Sequence, residues 1–181
     1  MDRDDSGWLS FYELYRPFIA KQLATYPKLR DRADDIAHEV MLVVFKELGE
    51  WQRGRTGSFR KWLRIVTKYR VHEMLRSNEK FPELLSDAAA LERELSDWDN
   101  PASLASQQWD SEHEKRLLNY AMKIVKQDVE PQTWAAFERY ALNGESPKSV
   151  AESLNCEINS VYLAKTRITR RLKKEVEGLN N

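Results

Sequence analysis

Two stretches of the chain gather cations beside groups that can engage nucleic-acid bases. Between Lys165 and Lys174 stand six cations and no acid, and between Arg53 and Arg76 stand eight cations against one acid, Glu73. Charge at that density neutralises phosphate. In the later stretch Tyr162, Thr166 and Thr169 supply hydroxyls that reach base edges, while its last cations are better placed for backbone phosphates. In the earlier one Ile65 and Tyr69 alternate with Lys61, Arg64, Lys68, His72 and Arg76, which offers unpaired bases both a stacking surface and counter-charge. The whole chain nevertheless balances 29 Lys and Arg against 29 Asp and Glu. Nine acids against one cation between Phe81 and Glu114 supply most of that balance. Two basic blocks therefore flank an acidic middle.

Other chemistries find little support. His38-Glu39 and His72-Glu73 each begin like a zinc-protease signature, but Leu42 and Arg76 occupy the places of the second histidine. No glycine-rich phosphate loop or nucleophile elbow is present. With one cysteine, Cys156, and three histidines, the chain has neither an internal disulfide nor a cysteine-rich zinc site, as expected of a reducing compartment. We expect no catalytic residues, no metal and no cofactor. The acidic start, Met1-Asp2-Arg3-Asp4-Asp5, is unlike a signal peptide, and no apolar run reaches the roughly 20 residues that span a bilayer. The expected setting is the cytoplasm, without membrane insertion.

The elements that must carry these groups are helices. Six glycines, six prolines and few alternating β-branched stretches predict an all-α chain. Trp8 to Tyr26, Asp31 to Leu48 and Ser58 to Ser77 read as N-terminal helices, ended or separated by Pro27, Gly49, Gly54 and Gly57. Phe81-Pro82, Ala88-Ala89-Ala90 and Asp99-Asn100-Pro101 read as a linker holding at most a short helix. Gln108 to Gln127 and Pro131 to Leu142 follow, the latter stopped by Asn143-Gly144.

Ser146-Pro147 is an N-cap with proline at the first helical position, opening a short helix to Leu154. Asn155 tolerates the left-handed backbone of a tight turn. Asn159 or Ser160 then caps a second helix to about Glu177. Ala151, Asn155 and Val161 have the spacing of a helix-turn-helix. Val161, Ala164, Ile168 and Leu172 share one arc of the second helix, and Tyr162, Thr166, Thr169, Arg170 and Lys173 face away, with Leu163 and Lys165 at the flanks.

Upstream, Ala33, Ile36, Ala37, Val40, Val44 and Leu48 make a core stripe. Asp35, His38, Glu39, Leu42 and Lys46 lie outside it as a mixed polar and apolar surface suited to a partner. In the next helix Phe59, Trp62, Leu63, Val66 and Met74 take the buried side. Arg70 falls in the middle of that side and must snorkel or pair with a carboxylate.

The strings Asp34-Asp35-Ile36-Ala37-His38-Glu39-Val40, Gly57-Ser58-Phe59-Arg60-Lys61-Trp62-Leu63, and Ser160-Val161-Tyr162 to Arg170-Arg171-Leu172 resemble extracytoplasmic-function sigma factors of bacterial RNA polymerase. The resemblance implies two small helical domains: region two, a three- or four-helix bundle, over residues 1–79, and region four, with the helix-turn-helix, over 107–181. An acidic linker over 80–106 joins them and threads towards the polymerase cleft. It implies that Asp35, His38, Glu39, Leu42 and Lys46 dock on the clamp helices of the largest subunit of core RNA polymerase. Arg53, Arg55, Ser58, Lys61, Arg64, Lys68, Tyr69, His72 and Arg76 hold and melt the minus-ten promoter element. Ser160, Tyr162, Leu163, Lys165, Thr166, Arg170 and Lys173 read the minus-thirty-five element. The implied partners are core polymerase, through its clamp helices and flap, and promoter DNA, with an anti-sigma factor left open. An ordinary helix-turn-helix regulator with an N-terminal interaction or sensing module is the competing reading, and it leaves the second basic helix unexplained.

Overall fold

A computed structural model describes residues 5–47, 59–76 and 88–180. Among these the chain is all-helical: α1 (Asp5–Ala24), α2 (Ala33–Glu47), α3 (Phe59–Arg76), α4 (Ala88–Ser96), α5 (Leu104–Asp128), α6 (Pro131–Phe137), α7 (Pro147–Leu154) and α8 (Ile158–Asn180), with no strand. Short 3-10 turns, Arg30–Arg32 and Asp97–Asp99, precede α2 and follow α4. The chain forms two compact units, residues 1–116 and 117–181.

In the first unit the stripe foreseen on α2 is buried at Ala33, Ile36, Ala37, Val40 and Val44, joined by Met41, while Leu48 lies outside the described residues. On α3 the foreseen Phe59, Leu63, Val66 and Met74 are buried together with Val71 and Leu75, and Trp62 is only half-buried. Helix α1 adds Leu14, Tyr15, Phe18, Ile19 and Leu23. Pro17 sits inside α1 and removes one helical N–H, which loosens the preceding turn. Arg116 donates from Nε to the Leu14 carbonyl at 2.6 Å, one residue beyond the Glu13 carbonyl that Pro17 leaves without its helical N–H.

The boundary between the units lies beyond the acidic segment that reads from sequence as a linker. Residues 88–116 belong to the first unit, because Leu91, Leu95, Trp98, Trp109 and His113 are all buried there. The ring of Trp109 lies 4.8 Å from both Phe18 and Trp98, and that of His113 lies 5.6 Å from Phe18. Trp98 donates from Nε1 to the Tyr26 hydroxyl. Burying Leu91, Leu95, Trp98 and Trp109 contributes roughly 6–12 kcal/mol of transfer free energy, before the entropy of ordering the segment is set against it. Ion pairs add an outer seam: Lys21 to Glu112 at 2.6 Å, and Arg60 to Asp110 at 3.2 Å and Glu114 at 3.1 Å.

The second unit has two adjoining cores. Ala121, Val125, Trp134, Phe137, Ile168 and Leu172 form one; Ala136, Val150, Ala151, Val161 and Ala164 form the other. Pro131 opens α6, which continues after Phe137 as a π-helical turn, Glu138–Leu142. That turn carries Arg139, which grips Glu145 through Nε at 2.9 Å and Nη2 at 2.6 Å and also reaches the Ser153 hydroxyl.

Candidate nucleic-acid interface

The second basic block is built on α7 and α8. Ser146 Oγ accepts from the Ser149 N–H at 3.1 Å, capping α7 as its sequence predicts. Asn155 ends α7 with φ 49° and ψ 52°, the left-handed turn, and Cys156 N–H closes back on the Ala151 carbonyl at 3.0 Å. Gln132 donates to the free Leu154 carbonyl at 2.8 Å. Helix α8 begins at Ile158, ahead of the expected cap at Asn159 or Ser160, because the Ser160 N–H is already engaged by the Glu157 carbonyl at 2.9 Å. Ser160 is therefore an exposed first-turn residue.

Val161, Ala164, Ile168 and Leu172 are buried, which turns the opposite face of α8 outwards. Ser160, Tyr162, Leu163, Lys165, Thr166, Arg170 and Lys173 are all exposed along it. Their approach is shaped from below by Tyr140, a residue that sequence reasoning missed. Its ring meets Tyr162 edge-on at 5.5 Å, and the Lys165 ammonium lies over it at 5.0 Å. The signal was an aromatic in the π-helical turn after α6, indistinguishable by periodicity from an ordinary core residue. Thr166 Oγ1 donates to the Tyr162 carbonyl at 3.0 Å, which restrains its rotamer. Arg171 is held by Asp128 at 3.0 Å; Lys173 stays exposed, 3.9 Å from Glu177.

The first basic block divides into two stripes on α3. Lys61, Ile65, Tyr69 and Arg76 are exposed, with Tyr69 at 67%. Arg64, Lys68 and His72 instead face α4, the 3-10 turn and α5, together with Arg60. Arg64 is buried and donates from Nη1 to Ser106 at 2.7 Å; Lys68 pairs with Asp99; His72 Nδ1 lies 3.1 Å from a Glu92 oxygen. Arg53, Arg55 and Ser58 lie outside the described residues. Arg70, awkward on the helical wheel, pairs with Glu39 on α2 at 2.7 Å and with Glu73.

On α2, Asp35, His38, Leu42 and Lys46 are exposed at spacings that keep them on one side, and Phe45 joins them at the edge. Glu39 is only half-exposed because it serves Arg70. His38 Nδ1 lies 2.9 Å from the Tyr12 hydroxyl, so α1 orients that imidazole.

Burial pushes the Tyr15 hydroxyl well above its ordinary range and drives His113 down to about 4, with the Arg60 guanidinium adding to the second shift. His113 is thus a neutral imidazole whose Nε2 lies 3.4 Å from the Tyr15 hydroxyl and whose Nδ1 has no partner. Hydrogen bonds from Lys21 and Lys115 hold the Glu112 carboxyl low, and those from Arg139 do the same for Glu145. Among the described residues no cluster could hold a metal ion, and no helix is long and apolar enough to cross a membrane.

Two cationic, partly apolar helix faces, one beside the exposed Tyr69 on α3 and one on α8 after the Asn155 turn, can bind phosphate and offer ring faces or hydroxyls to bases. No curated protein and no solved structure matches the chain. Residues 11–81, which hold most of α1 and all of α2 and α3, match the family model Sigma-70 region 2.

Proposed function

We propose that the chain is an extracytoplasmic-function sigma factor that binds core RNA polymerase, brings it to promoters and helps to open the minus-ten element. The observation that carries this reading is the coexistence of a region 2 match over 11–81 with a second, independent basic helix-turn-helix face on α8. A regulator with one DNA-binding helix needs no region 2.

In this reading Asp35, His38, Leu42 and Lys46 on α2 dock on the polymerase clamp, with Glu39 stiffening the α2–α3 junction through Arg70. Lys61, Tyr69 and Arg76 hold the melted strand: the cations meet phosphates and Tyr69 stacks on an unpaired base. Ile65, exposed at 48%, extends that apolar platform. With Tyr69 the one exposed aromatic on the described part of α3, melting depends on a close promoter match. Region four, residues 117–180, reads the minus-thirty-five element with Tyr162, Leu163, Lys165 and Thr166, while Arg170 and Lys173 bind the flanking backbone. The protein acts as a specificity subunit in the cytoplasm and catalyses nothing itself.

The test is run-off transcription with purified core polymerase on a genomic promoter library. Start sites sharing two elements at fixed separation support the reading. Absence of any chain-dependent start site refutes it.

A further inference from the structure

Arg60, Arg64, Lys68 and His72 recur every fourth residue along α3, about 6 Å apart along the helix axis. Each of them is met by a group from the acidic segment: Arg60 by Asp110 and Glu114, Arg64 by Ser106 at 2.7 Å and Asp110 at 3.9 Å, Lys68 by Asp99, and His72 by Glu92. Carboxylates here take the charge-assisted bonds that phosphate oxygens accept in a nucleic-acid complex.

We propose that residues 88–114 form an intramolecular latch that occupies the α3 basic stripe in the free chain, and that core polymerase rather than DNA displaces it. The proposal rests on the reading of α3 as the strand-holding helix. The carboxylates themselves grip weakly: the Asp99 side chain is 56% exposed and that of Glu114 70%, and screened pairs of this kind contribute little. The hold comes from Leu91, Leu95 and Trp98 buried beneath them. A strand exchanging phosphates for carboxylates gains nothing that would lift those side chains out of the core. A protein interface of polymerase size can supply that work. Once lifted, α4, a helix of 9 residues, is too short to persist alone, so the segment becomes an extended tether.

The test compares the full-length chain with the variant D99N/D110N, which frees Lys68 and relaxes Arg60 and Arg64, in binding a fluorescent single-stranded oligonucleotide without polymerase. A control, E94Q/D97N, removes the same charge from exposed positions of the segment that do not touch α3. A packing variant, L95A, loosens the latch without changing charge, and circular dichroism checks its fold. The latch predicts the larger gain for L95A, about tenfold tighter binding at low salt with the slope against log salt steeper by about 1.4 for two added phosphate contacts, because the apolar contacts hold the segment down. D99N/D110N, which weakens only the screened pairs, gains about twofold, and the control does not change. Hydrogen exchange supplies the second readout: amides of 88–99 stay protected when DNA is added and lose protection when core polymerase binds.

Equal affinities for wild type, D99N/D110N and L95A overturn the latch, as does protection of 88–99 that survives in the polymerase complex. The functional reading fails separately. A chain that never associates with polymerase refutes that reading, while the free-chain oligonucleotide comparison still decides whether the segment shields α3.

Discussion

Replacing His113 with phenylalanine should make the first unit less sensitive to acid. The imidazole is 1% exposed, packs against the rings of Tyr15 and Phe18, and has its pKa lowered from 6.5 to about 4 by burial and, to a lesser degree, by the Arg60 charge. In the folded chain it stays neutral, whereas in the unfolded chain it takes up a proton below its ordinary pKa. Stability is therefore fully present above pH about 7 and falls as pH drops from about 6.5 to about 4, by about 3 kcal/mol in total. Below the folded pKa both states are protonated and the loss stops. Phenylalanine keeps the ring packing and cannot titrate. Its own cost at neutral pH is common to every condition, so the quantity to compare is the change with pH. Guanidinium unfolding followed by tryptophan fluorescence at pH about 7, 5.5 and 4.5 samples this window. The wild type should lose about 2–3 kcal/mol more than His113→Phe between the extremes. Glu112 and the other carboxylates titrate alike in both proteins and cancel. Parallel stability curves would refute the assignment of His113 as a neutral buried imidazole.

Other outcomes follow from single contacts. Asn155→Ala places an ordinary side chain at φ 49° and should cost about 1 kcal/mol in thermal unfolding, whereas Asn155→Gly should be near neutral. Ser146→Ala removes the α7 cap and should cost about 1 kcal/mol, read by the same melt. Tyr69→Ala should lower open-complex formation by about 1–3 kcal/mol, measured by permanganate reactivity of the melted strand, with polymerase association unchanged. Charge reversal at Arg170 and Lys173 should abolish promoter-specific transcription while core-polymerase binding survives in a pull-down; loss of both together would contradict the division of labour between the units.

The helices were legible in the sequence where apolar period and local chemistry agreed. Ser146, Pro147 and Asn155 each act within a few residues of themselves, so α7 and its turn could be read from the string alone. The α8 face was equally readable because Val161, Ala164, Ile168 and Leu172 recur at helical spacing. The acidic segment was not. Its Pro101, its alanines and its many carboxylates carry loop signals, and the reason for its order is tertiary: Trp98 and Trp109 fill the space beside Phe18, many residues earlier in the chain. Arg64 shows the same limit within the site. Its residue type and spacing suit a phosphate contact, and only the approach of Ser106 reveals a buried guanidinium. Arg70 ran the other way: the wheel flagged a conflict, and Glu39 with Glu73 resolves it. The early start of α8 reflects a backbone bond from Ser160 to Glu157 that no side chain announces.

The most direct measurement is association of the purified chain with RNA polymerase lacking its specificity subunit, by sedimentation or size-exclusion, beside Leu42→Asp, which places a charge on the exposed α2 face. The account predicts a stable complex for the wild type and at least about tenfold weaker association for Leu42→Asp, as for loss of a well-packed interface residue. No complex with the wild type, or equal binding by both, contradicts it.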